Sequence, residues 1–255
     1  MKATLRRSLF PATIALFAAC SDSNAPTPAL SLSFATQAPV GVSARIAPSF
    51  SILNDTFTVG ANTLVITKAQ LVLRNIRLKQ AETANCEEVE PKPAGCEEFK
   101  AGPIVLDLPL TPGASPQVTV NIPPGTYNKV EFKIHKVSDG DTAFLAANPT
   151  FANKSIHVEG TYNGTPFTFD TDMDVEQEME LTTPLVIADT TTSTNLTVRV
   201  DLSTWFKTAA GALIDPSTAN NGGANNGVVT ENIQHSFKAF RDHEKDGGDD
   251  DNSNH

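Results

Sequence analysis

Carboxylates at regular spacing are the first residues with chemistry to offer. In FDTDMDVEQE, Asp170, Asp172, Asp174 and Glu176 fall at every second position. On a strand all four would share a face, and Ca²⁺, a hard cation that takes oxygen ligands, would relieve their repulsion. Residues i and i+2 of a strand stand ~6–7 Å apart, too far for four carboxylates to converge on one ion. A solvated acidic face is the competing reading, and the spacing favours it. A second set, Asp242, Glu244, Asp246 and Gly247, follows the opening of a D-x-D-x-D-G calcium loop. The twelfth position of that loop is Ser253, which brings no carboxylate. A solubilising tail is therefore favoured over a Ca²⁺ site.

Other chemistry-bearing types are sparse. His135 and His157 would hold Cu or Zn if they lay on outward faces of paired strands; surface imidazoles are the default. There is no H-E-x-x-H, G-x-S-x-G or phosphate-loop spacing, so no catalytic residue is assigned and the chain is not expected to be an enzyme. Cys86 and Cys96 bracket EEVEPKPAG, a polar loop with two prolines and a glycine. In an oxidising compartment a disulfide clipping that loop is the preferred reading, with two free thiols as the alternative. No second Cys or His pair stands nearby at zinc-ligand spacing.

The compartment is written at the N-terminus. Lys2, Arg6 and Arg7 precede a short apolar run, Leu9 to Ala19, that ends in the small residues Ala18 and Ala19 before Cys20. This is the layout of a secretory signal, and the run is too short to span a bilayer comfortably. Phe17-Ala18-Ala19-Cys20 resembles the lipobox of bacterial lipoproteins, with Phe17 where Leu is usual. The resemblance implies that the Cys20 thiol is diacylglycerylated and becomes the new N-terminus. Ser21 rather than Asp after the cysteine implies, by enteric-type sorting, the outer membrane. Acyl chains at ~0.8 kcal/mol per buried CH₂ anchor a protein stably when more than one is present.

Charge narrows the partners. The chain has 19 Lys+Arg against 29 Asp+Glu; residues 1–19 hold three of the bases and no acid, so the remainder carries 16 against 29, or −13. A nucleic-acid partner would want a basic face, and none is expected. Residues 1–19 are read as the signal, 20–29 as lipidated cysteine and tether, 30–241 as one β domain, and 242–255 as an acidic disordered tail.

The elements that must position these residues are mostly strands. Val118 to Val137 alternates on both sides of Pro123-Pro124-Gly125, which predicts a hairpin. Asn62 to Gln80 is the longest apolar-rich stretch. Ala69, Leu71 and Leu73 share one parity and Ile76 and Leu78 the other, so a bulge is expected near Arg74-Asn75. Asn54-Asp55 predicts a turn, Pro103 to Leu110 a strand, and Leu185 to Ile187 a short strand. Asn163-Gly164 predicts a tight hairpin, and Leu196 to Leu202 another strand. Ala143 to Ala152 reads as irregular, and Ala219 to Gly227 as a flexible loop. Ser203 would cap a short helix through Trp205 and Phe206. Val229, Ile233, Phe237 and Phe240 predict an amphipathic helix from Glu231 to about His243, with Thr230 as its cap. Together these predict a mainly β fold, an antiparallel β-sandwich with a C-terminal helix.

LVITKAQLVLRNIRL, GPIVLDLPL and IPPGTYNKVEFKI, within residues 62–137, resemble a family of small bacterial lipoproteins known only as a domain of unknown function, the DUF4382 type. That resemblance implies an immunoglobulin- or transthyretin-like sandwich and no site. VLRNIRL and VDLSTWF (Val200 to Phe206) are more distantly similar to periplasmic copper-binding proteins of the MbnP type. The expected function is a non-enzymatic, lipid-anchored envelope module that binds an unknown protein or glycan, with no cofactor. Its alternative is periplasmic binding of Cu or Ca.

Overall fold

One long strand organises the larger of two sheets. A computed structural model of the chain describes residues 29–36, 55–80, 96–100, 102–111, 113–188, 193–242, 245–247 and 249. Strand β3 (Asn62–Gln80) follows β1 (Ala29–Ala35) and β2 (Asp55–Val59), and precedes β4 (Cys96–Lys100) and β5 (Ile104–Asp107). Then come β6 (Ser115–Asn121), β7 (Gly125–Ile134), helix α1 (Thr142–Ala147), β8 (Ile156–Tyr162), β9 (Thr165–Thr171) and β10 (Val175–Ile187). The chain continues through β11 (Ser193–Val200), α2 (Leu202–Trp205), α3 (Asn226–Gln234) and β12 (Phe237–Arg241). Eight strands form one sheet, in the order β10-β7-β3-β8-β9 with β2, β4 and β5 also paired to β3; β12-β11-β1-β6 form the other. The two sheets face each other as a β-sandwich.

The inward parity of β3 changes twice. Leu64 and Ile66 are buried, then Ala69, Leu71 and Leu73, then Ile76 and Leu78. The register slips between Arg74 and Arg77, where Asn75 has φ 53°, as expected from the sequence. A second slip, between Ile66 and Lys68, was not anticipated. Outward-facing Val72 packs with Val137 and Phe151 in a small second core, flanked by Phe144 and Leu145 of α1. The stretch read as irregular thus holds α1 and a 3₁₀ turn, Pro149–Phe151.

The expected Val118 to Val137 hairpin is not one. β6 pairs with β1 in the small sheet, whereas β7 pairs with β3 and β10 in the large one. Pro123 and Pro124 have no N–H to give a ladder, and the link crosses between sheets instead. Tyr127 Oη donates to the Pro123 carbonyl at 3.0 Å and holds the crossing. The parity reading survives: Val130, Phe132 and Ile134 are fully buried. Phe132 meets Phe34 of β1 and Phe237 of β12 edge-on, with ring centroids 6.2 and 5.5 Å apart. Those contacts tie the sheets together.

Three other boundaries differ from expectation. Gly60-Ala61 joins Val59 to Asn62, with Gly60 at φ 61°, while Asn54 of the expected Asn54-Asp55 turn lies outside the described residues. β10 runs over 13 residues because Gln177, Met179 and Leu181 turn inward between exposed glutamates. The C-terminal helix ends at Gln234, and Phe237 to Arg241 pairs antiparallel with β11; cross-strand pairing overrides the helical spacing. Thr230 lies inside α3, its Oγ1 donating to the Asn226 carbonyl. Asp201, not Ser203, caps α2 by accepting from Ser203 N. The Asn163-Gly164 turn is as expected, with φ 50° and 80° between Tyr162 and Thr165.

The Ala219 to Gly227 segment is fastened to an edge. Asn220 Oδ1 accepts from Asp170 N at 2.8 Å and its Nδ2 donates to the Thr168 carbonyl at 3.2 Å. One side-chain amide so supplies the partner that edge strand β9 lacks, and Pro166 on the same strand has no N–H to expose.

Candidate functional site

The alternating carboxylates do not share a strand face. β9 stops at Thr171 and β10 starts at Val175, so Asp172 and Asp174 lie in the link. Each meets its own cation. Asp170 lies 2.8 Å from Lys154 Nζ and 2.7 Å from His157 Nδ1. Asp172 lies 2.7 Å from Lys136 Nζ, which holds its carboxyl below the usual range against the cost of burial. Burial opposes the charge on Asp174. The Lys133 ammonium at 2.8 Å and the Lys136 N–H outweigh it and lower that carboxyl too. Among the described residues no three His, Cys, Asp or Glu side chains are placed to share a metal ion.

The two central histidines are held in the same manner. His157 of β8 sits with Nδ1 on Asp170 and Nε2 2.8 Å from Glu159. The contact with His157 holds Glu159 below its usual range, against burial and with help from Lys68. His135, just past β7, places Nε2 2.9 Å from Asp141. For Asp141 burial is outweighed by the Ser138 N–H, His135 and the Ser138 hydroxyl, and its carboxyl is lowered. β7 and β8 do not pair, because β3 runs between them. The condition for a shared His135–His157 metal site is therefore not met.

Across β3, β7 and β10 a ladder of charges follows. Arg77 Nε lies 2.8 Å from Glu131, and Lys79 Nζ 2.9 Å from Glu131 and 2.7 Å from Glu178. Lys129 Nζ closes on Glu178 at 2.6 Å. Arg77, Lys79 and Glu131 are buried. Lys129 and then Lys79 lower Glu178; burial works against the charge on Lys79, but Glu178 and Glu131 prevail and raise it. Buried pairs of this kind are weak evidence of net stabilisation, yet losing one partner strands the other.

The small sheet presents a different outer surface. Leu30, Leu32 and Phe34 of β1 and Leu196, Val198 and Val200 of β11 face the core, which turns Ser31, Ser33, Asn195 and Thr197 outward. These polar residues are nevertheless buried. Ser33 Oγ donates to Asn195 Oδ1 at 2.7 Å, and Asn195 Nδ2 donates to Thr197 Oγ1 and to the Asp242 carbonyl. The Asp242 carboxylate, fully buried, accepts from Thr197 Oγ1 at 2.8 Å, Asp246 N at 3.1 Å and Gly247 N at 3.0 Å. Lys245 O accepts from Ala114 N at 3.0 Å, and Asp249 approaches Lys238 at 3.6 Å. Asp242, Lys245 to Gly247 and Asp249, which fall in the stretch read as a disordered tail, thus lie against this face. Asp242 turns its carboxylate to the sheet and to backbone N–H groups, while Asp246 is exposed. Glu244 lies outside the described residues, as do Cys20 and Cys86; of Cys96 only the backbone, in β4, is described.

Beside the covered part lies a cavity of ≈ 340 Å³, walled by Ser31, Thr119, Ser193, Thr194, Asn195 and Lys245. Sequence reading did not find it. The outward Ser-x-Ser of β1 and Asn-x-Thr of β11 were the available signal.

No family model matches the chain, and no curated protein matches it, so the likeness to the domain-of-unknown-function family rests on the quoted segments alone. Among solved structures, MbnP from Methylosinus trichosporium aligns over 84% of this chain and 97% of its own, at 13% identity and a TM-score of 0.40. A likeness at that level carries no functional argument.

Proposed function

We propose that the chain is a lipid-anchored, non-enzymatic binding module of the bacterial cell envelope, seated on the outer membrane through Cys20. One observation carries the binding reading. On the large sheet Asp170, Asp172, Asp174, His135 and His157 each meet a group of the opposite kind of charge, while the small sheet keeps a polar concavity beside its covered face. The anchor rests on the Phe17-Ala18-Ala19-Cys20 lipobox. No helix among the described residues is long and apolar enough to cross a membrane. Periplasmic Cu or Ca binding has less in its favour, because Asp170, Asp172 and Asp174 each face a separate lysine.

Growth with a radiolabelled fatty acid tests the anchor. The wild-type chain is expected to take up label and to sediment with membranes, and Cys20→Ser to do neither. Equal labelling of the two removes the anchor from the proposal.

A further inference from the structure

The geometry points to the cavity on the small sheet as a binding site for a polyol that carries one oxyanion, such as a sugar acid or a sugar phosphate. This rests on the reading of the chain as a binding module and names what that module takes. The volume of ≈ 340 Å³ falls at the small end of the ligand-site range of ~300–1,000 Å³, enough for a monosaccharide unit.

The walls show what the ligand must offer. Ser31 and Thr194 are 7% and 9% exposed. Thr194 has no side-chain partner among the described residues, and Ser31 only accepts a long 3.5 Å contact from Thr119 Oγ1. Both side chains line the cavity, and each hydroxyl can donate to or accept from a ligand there. Ser193 and Thr119 add two more hydroxyls at the rim. Asn195 is already committed to Ser33, Thr197 and Asp242 and serves as rigid wall. Among the described residues no carboxylate lines the cavity. The one charge is Lys245, which has no ion pair among the described residues, whereas nearby Lys238 meets Asp249. Its backbone is fixed on the C-terminal side. The carbonyl takes the Ala114 N–H, and the next two N–H groups are tied to Asp242. The ammonium is therefore presented from an anchored turn. Hydroxyl groups around the one cation that lines the cavity among the described residues suit hydroxyl and oxyanion groups on one small molecule.

Full-length lipidated protein in detergent, titrated calorimetrically with glucuronate, glucose 1-phosphate and glucose, tests this. At least one of the two acids is expected to bind at least tenfold more tightly than glucose, and which one does separates carboxylate from phosphate recognition. Lys245→Gln, at an exposed position that leaves the melting temperature unchanged, is expected to weaken that acid at least fivefold. Thr194→Val is expected to weaken binding of all three sugars while keeping the preference for the acid over glucose. The assignment is overturned if neither acid binds, if all three sugars bind alike, or if Lys245→Gln binds as wild type does. A chain that is labelled at Cys20 yet binds none of the three loses the cavity assignment and keeps the anchor.

Discussion

Five carboxylates in this protein act as structural ions. Asp141, Glu159, Asp172, Asp174 and Glu178 are all held below their ordinary ranges. Each therefore binds a proton less readily folded than unfolded. In the window between the lowered folded values and the unfolded values of ~3.9–4.3, the unfolded chain binds more protons, so stability rises with pH. The contribution is complete above the unfolded range and is lost as pH falls through the folded values. Lys79 runs the other way: its raised value gives a contribution present at neutral pH and lost only as alkaline pH passes the folded value. Denaturant unfolding is thus expected to lose stability steeply below about pH 4. Lys136→Ala and Lys133→Ala should flatten that fall. They should cost under ~1 kcal/mol each at pH 7, since Asp172 and Asp174 are more than a third exposed and solvent screens such pairs. An acid limb unchanged in both variants would show that these pairs do not set it.

At the scale of the element, the bulges of β3 explain what a sequence can and cannot reveal. The parity change from Leu73 to Ile76 was legible because apolar residues flank it on both sides. The change from Ile66 to Ala69 was not, because Thr67 and Lys68 fit either register. Its sign lay on the neighbouring strand. Gly160 of β8, opposite Ile66, has room for no side chain: a Cβ there would meet the Val65 carbonyl oxygen at 2.0 Å. A glycine within a strand marks such an approach. Gly160→Ala is expected to destabilise by roughly 1–3 kcal/mol or more, read by chemical denaturation. Gly164→Ala serves as the comparison, straining only a left-handed turn at φ 80° with open space around it. Equal losses would mean that the backbone approach at Val65 is not the constraint. The mistaken hairpin at Pro123-Pro124-Gly125 has the same origin. Alternation fixes which side of a strand is buried, but two strands with the same alternation fit one sheet or two. Only the partners β1, β3 and β10, remote in the chain, decide between them. The cavity was hidden for a related reason, since its walls come from β1, β6, β11 and the turn at Lys245.

For the whole molecule, the position of β1 links anchor, sheet and cavity. It begins nine residues after Cys20, a span of at most ~30 Å when extended, and Ala29 at its start is itself in the cavity wall. In an anchored chain the cavity would accordingly stay close to the membrane. β1 is also central: it pairs parallel with β11 on one side and antiparallel with β6 on the other. Leu30, Leu32 and Phe34 are fully buried against the large sheet, and Ser33 is fully buried on the opposite face. Removing an edge strand shortens a sheet, but removing this one leaves two unpaired edges and an open slot in the core. Fully burying three side chains of this size contributes roughly 1.5–3 kcal/mol each, comparable in sum to the ~5–15 kcal/mol that holds a typical domain together. A chain lacking residues 1–35 is therefore expected to show no cooperative thermal transition by circular dichroism, and to bind a dye that reports exposed apolar surface. A cooperative melt near that of the intact chain would mean that β6 and β11 close the sheet without β1, and that the link from anchor to cavity through this strand is wrong.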